Sequence, residues 1–160
     1  MKKIFYIILL INFMINIAWS MTKGELIKLL EEKKVVYYQN PVKKWERISI
    51  DNKSIITNND LKNFFLLDRL EDIDINNKNI TNEGVLYLSN ILTIKAVHLA
   101  GPNINDETLK FLNGLIKLES LIVGNCNING SGLKYIADKK NIDNLDLGSL
   151  PITDDSVKNI

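Results

Sequence analysis

From Leu70 onward the apolar residues recur every 24 positions, and this period constrains the fold more than any other feature of the chain. Leu70, Ile73, Ile75, Ile80, Val85, Leu88 and Ile91 form one window. Ile94, Val97, Leu99, Ile104, Leu109, Leu112 and Leu115 repeat it, as do Leu118, Leu121, Val123, Ile128, Leu133 and Ile136. A last window holds Ile142, Leu145, Leu147, Ile152, Val157 and Ile160. An earlier copy fits if one extra residue precedes its helix: Trp45, Ile48, Ile50, Ile55, Leu61, Phe64 and Leu67. A unit this short cannot bury its own apolar face. Stacked copies bury it against one another, and at least three are needed.

Within each window the spacing changes from strand-like to helix-like. Each opens on alternation, which suits a short strand with one buried face. A buried Ile five residues later turns the chain inward. Apolar residues at three-residue intervals then suit one face of a helix. Thr81, Asn105, Asn129 and Thr153 stand at the junctions and are good helix-cap types. The acids Glu83, Asp106-Glu107 and Asp154-Asp155 fall in the first turn, where a helix dipole favours negative charge.

The stretches LEDIDINNKNITNEGV (70–85) and IDNLDLGSLPITDDSV (142–157) carry the pattern LxxLxLxxxxITDxxL. Residues 45–160 therefore resemble the leucine-rich-repeat family, in its 24-residue bacterial variety, and are similar to the repeats of F-box adaptor proteins. The resemblance implies an α/β fold: a right-handed leucine-rich-repeat solenoid with short parallel strands on the concave side and helices on the convex side. Two departures stand out. The column two residues before the inward Ile reads Lys53, Lys78, Pro102, Cys126 and Leu150, so a continuous Asn ladder is absent there. Lys139 occupies an expected apolar helix position.

The chain divides into three parts. Residues 1–20 have Lys2 and Lys3, an apolar run over 4–18, and small residues at Ala18 and Ser20, the pattern of a secretory signal peptide cleaved after Ser20. This places the protein in a secreted or periplasmic compartment, with a membrane anchor made by residues 4–18 as the alternative. Residues 21–44 read as an N-terminal capping helix (Thr22 to Lys34) followed by a linker, VVYYQNPVKK. Residues 45–160 hold four to five repeats, the last incomplete. The end at Ile160 without a capping segment can reflect a truncated repeat fragment, and such an end can also pair two copies.

Candidate chemistry is sparse. Cys126 and His98 suggest a Cys–His nucleophile, but the register places them on different surfaces, with Cys126 buried in the turn column. Asp72 and Asp74 form an acidic pair of the kind that does acid–base work or holds Ca²⁺, and they read better as solvated strand residues. GNCNINGSG (124–132) lacks the Lys and following Ser/Thr of a phosphate cradle; its glycines suit turn and helix-start positions. One Cys and one His exclude a Cys/His metal cluster built from this chain alone. No cofactor, catalytic residue or metal ligand is expected. The net charge of +1, from 20 basic and 19 acidic residues without a basic patch, argues against nucleic acid. Sequons begin at Asn52, Asn79 and Asn129 and matter only in a eukaryotic secretory pathway.

The strand faces opposite the core are the better functional candidates. By register they bring together Arg47, Asp72, Ala96, Ser120 and Asn144 in one column. A second holds Ser49, Asp74, His98, Ile122 and Asp146. A third holds Asp51, Asn76, Ala100, Gly124 and Gly148. Asp72, Asp74, Ala96, His98, Ser120, Ile122 and Asp146 are the expected binding residues: a small, apolar centre with acidic rims, as protein-binding patches have. The function expected is a non-catalytic protein–protein interaction module using the concave face, its protein partner unidentified, with no membrane role beyond the signal segment. The alternative is an intracellular substrate adaptor of the F-box type, for which residues 21–44 are too short to supply the F-box.

Overall fold

The computed structural model describes residues 21–158; the signal-like segment 1–20 and the end at Ile160 lie outside them. The architecture is α/β. A sheet of six strands follows chain order: β1 (Val36–Gln39), β2 (Glu46–Ile50), β3 (Leu70–Asn76), β4 (Ala96–Ala100), β5 (Ser120–Gly124) and β6 (Asn144–Asp146). All neighbours pair parallel except β1 and β2, which are antiparallel. The parallel connections carry α2 (Asn58–Leu61), α3 (Asn82–Leu88) and α4 (Glu107–Leu112); α1 (Lys23–Glu32) precedes the sheet and α5 (Asp154–Val157) follows it. Helices α2, α3 and α4 pack side by side. The core lies between them and one face of the sheet, where Ile48, Ile73, Val97 and Leu121 form one buried row and Ile50, Ile75, Leu99 and Val123 the next.

The strand registers follow the 24-residue period from β3 onward: Asp72 pairs with Ala96, Ala96 with Ser120 and Ser120 with Asn144. The first copy departs from its expected phase. A bulge between Glu46 and Arg47 aligns Glu46, not Trp45, with Leu70. The inward residue of its turn is Ile56, fully buried, whereas Ile55 is 57% exposed. The extra residue therefore sits before the inward Ile, and Ser54 rather than Lys53 takes the column that Cys126 fills later, donating its hydroxyl to Lys34 O at 2.8 Å.

A carboxylate in an apolar column requires partners. Glu46 is fully buried and has them on every side. The Tyr37 hydroxyl donates to Oε1 at 2.8 Å, Lys23 Nζ lies 2.6 Å from the same oxygen, and Arg69 N donates to Oε2 at 3.2 Å. This cluster ties α1, β1 and the approach to β3 to the first parallel strand.

The helix and turn around it follow local rules. Thr22 and Glu25 form a reciprocal capping box that starts α1. Lys34, at φ 59°, ends it, with Val35 N donating to Leu30 O at 2.8 Å as in a Schellman turn. Leu26 and Leu30 are buried, so the amphipathic reading of this helix holds. The linker expected after it is instead half strand. Val36–Gln39 pairs with β2, and Asn40-Pro41 makes the reversal, with Asn40 Oδ1 accepting from Val42 N and Lys43 N and Lys44 at φ 63°.

The repeats are also joined by side chains one position beyond the cap residues. Asn58, Asn82 and Asp106 stand 24 residues apart, and each accepts the backbone N–H of the junction residue in the next unit. Asn58 Oδ1 accepts from Thr81 N (3.0 Å), Asn82 Oδ1 from Asn105 N (3.0 Å) and Asp106 Oδ2 from Asn129 N (2.9 Å). Asp106 was expected to serve the dipole of its own helix; its Oδ1 instead accepts from Gly130 N (3.1 Å) and Gly132 N (2.7 Å) across the repeat boundary. The third window has a short 3-10 turn, Leu133–Tyr135, where an α-helix was expected. Gly132 is required there, since a Cβ would lie 2.3 Å from Asp106 O. Gly130, at φ +96°, occupies the next ladder position and has no side chain to continue it. The last unit is held instead by the Ser156 hydroxyl donating to Asn129 O at 2.8 Å. Lys139, placed at an apolar position, stays half-buried by donating to Leu115 O at 2.8 Å.

Candidate functional site

Alternation along the parallel strands turns a second set of side chains away from the core. Arg47, Asp72, Ala96, Ser120 and Asn144 make one row across β2 to β6. Ser49, Asp74, His98, Ile122 and Asp146 make the next. All seven expected binding residues therefore share one open face. Asp72, Asp74, Ala96, Ser120 and Ile122 are half-buried, and His98 and Asp146 are exposed.

The polar members are linked along the rows. Arg47 Nη1 lies 3.3 Å from Asp72 Oδ2, and Asp74 bridges the Ser49 hydroxyl at 3.4 Å and His98 Nδ1 at 3.5 Å. Asn144 Nδ2 donates to Ser120 Oγ at 2.9 Å. Burial pushes the Asp72 carboxyl above its ordinary range; Arg47 opposes this and the charge of Asp74 adds to it. Ile122 lies between His98 and Asp146 in its row, without a charged group of its own to offer. In the third column Ala100 and Gly124 pair across β4 and β5 and present little side chain.

The face extends further than the sequence reading foresaw. Val36 pairs with Ser49 and Tyr38 with Arg47, so β1 adds one residue to each row. Val36 is 64% and Tyr38 45% exposed, and the Tyr38 ring lies against Trp45 with centroids 5.5 Å apart. An apolar, aromatic end thus adjoins the charged side chains of β2 and β3. Its signal was available in the β-branched and aromatic run Val35–Tyr38 before Asn40-Pro41, which is hairpin chemistry.

Cys126 lies apart from this face. It is buried, its Sγ 3.3 Å from Gly124 O and 3.7 Å from Leu99 O, and burial pushes the thiol above its ordinary range. His98 is held by Asp74 on the open face, so the two are not partners.

No protein-family model matches the chain, and no curated protein matches it in sequence. Among the described residues no helix is long and apolar enough to cross a membrane.

Proposed function

We propose that this chain is a leucine-rich-repeat solenoid that binds a protein partner through the open face of its sheet, which would be the concave side, and that it does so outside the cytoplasm without catalysis of its own. The observation that carries the reading is the pair of side-chain rows crossing the sheet. They run over consecutive strands in constant register. The opposite face of the same strands is committed to the core. Rigid strands holding a half-buried mix of small, apolar and acidic groups offer a preorganised surface, which lowers the ordering cost of association.

The test is capture of partners by the full chain from extracts of the source organism and its surroundings, repeated with Ile122→Asp and with His98→Ala. Both positions lie off the core, so the variants fold. A specific partner is expected to lose affinity about tenfold or more in one or both, roughly 1.4 kcal/mol. Unchanged capture by both variants removes this face as the docking surface.

A further inference from the structure

Two neighbouring parts of the open face differ in chemistry, and the difference specifies what fits there. At the β1 end, Tyr38 and Trp45 pack ring against ring at the surface. Two strands away, beyond Arg47 of β2, Asp72 and Asp74 project from the same side of β3, two residues apart and therefore about 7 Å along the strand. Arg47 is the fixed cation of these rows and engages Asp72 alone. Asp74 meets a serine hydroxyl and His98, which carries charge only when protonated. The carboxylates thus outnumber the cations, at half-buried positions where salt screens less than on open surface.

We infer that the partner presents a Lys- or Arg-bearing segment to this face, its cation over Asp72 and Asp74 and an apolar or aromatic side chain on Tyr38 and Trp45; this rests on the docking reading above. Tyr38, Arg47 and Asp72 are successive members of one row. Strands lie about 4.8 Å apart, so the two anchor points are about 10 Å apart. An arginine suits either anchor point, because its guanidinium pairs with carboxylates and also stacks on aromatic rings. A cation placed here offsets the desolvation that pushes the Asp72 carboxyl above its ordinary range, acting with Arg47 and against the like charge of Asp74.

The experiment is selection of random dodecapeptides displayed on phage against the immobilised full chain, followed by calorimetry of the enriched peptides. Enrichment of Lys or Arg beside an aromatic or apolar residue is expected, with affinity falling about tenfold or more in Asp72→Asn/Asp74→Asn and falling with added salt. Enriched peptides without cations, insensitive to that double variant but lost in Tyr38→Ala or Ile122→Asp, overturn the cationic partner and leave the docking surface standing. No enrichment, or peptides insensitive to all of these changes, overturns both.

Discussion

Asp106 Oδ1 accepts the Gly132 N–H at 2.7 Å, reaching from one 24-residue unit into the next. The same carboxylate holds the N–H groups of Asn129 and Gly130, so one side chain serves three donors of its neighbour. In the preceding units the amide oxygen of Asn58 accepts from Thr81 N alone, and that of Asn82 from Asn105 N and the Thr108 hydroxyl.

Replacing Asp106 by Ala strips the acceptor from buried Gly130 and Gly132. A buried donor left unmatched costs about 1–3 kcal/mol, more when its acceptor was charged. Urea denaturation is expected to show a loss of at least that size. Asp154→Ala, at the equivalent position of the last unit and exposed, is expected to stay within about 0.5 kcal/mol of the parent. Equal losses in the two would remove the ladder as a stabilising device.

Tyr37 gives a pH dependence of stability. Burial and the adjoining Glu46 carboxylate push its phenol up to about 12. The folded state therefore keeps this proton where the unfolded chain releases it. The stabilisation is fully present below the ordinary phenol value near 10 and is lost as the pH rises through about 12. Tyr37→Phe removes a donor from buried Glu46 and is expected to cost about 1–3 kcal/mol at neutral pH. It should also flatten the alkaline fall in melting temperature; a variant as pH-sensitive as the parent would refute the assignment.

Cys126 should react with iodoacetamide at the rate of global or local opening, not at the rate of a free thiol. Its sulfur is buried and its thiolate disfavoured. Labelling in native buffer is expected to be slow and to accelerate in urea in step with unfolding. Rapid labelling of the native protein would contradict its burial.

Amide exchange should be fastest in the last unit. Leu145 is exposed, Leu147 and Ile152 are only half-buried, and the ladder has no side chain at Gly130. Local opening free energies track buried contacts and satisfied donors. Protection over β6 is expected to fall well below that of β3 to β5, and uniform protection across all four strands would count against a weak terminal junction.

The repeated strands and the open face were legible because alternation fixes which side each residue takes, and a constant period fixes the neighbour in the next strand. Asp72, Ala96 and Ser120 fell into one row for that reason. The first copy was read out of phase because Glu46 fills an apolar column, and Tyr37, Gln39, Lys23 and Arg69, outside the repeat pattern, make that tolerable. The aromatic end of the face was missed because Tyr38 joins it through antiparallel pairing, outside the repeat. The third helix was overestimated because Gly130 and Gly132, poor helix formers, stand at its start, where close contacts with Ser156 and Asp106 of the neighbouring units leave no room for a side chain.

The acceptors of the ladder all point the same way along the chain: Asn58, Asn82 and Asp106 each finish the unit that follows them, and none finishes the unit before. A stack joined in this manner is polar, with acceptor side chains on one side of each junction and donor side chains on the other. Each unit offers its successor an acceptor for the N–H at the junction after the inward Ile, and the successor answers in kind, with Asn103, Lys139 and Ser156 donating back to the carbonyls of Lys78, Leu115 and Asn129.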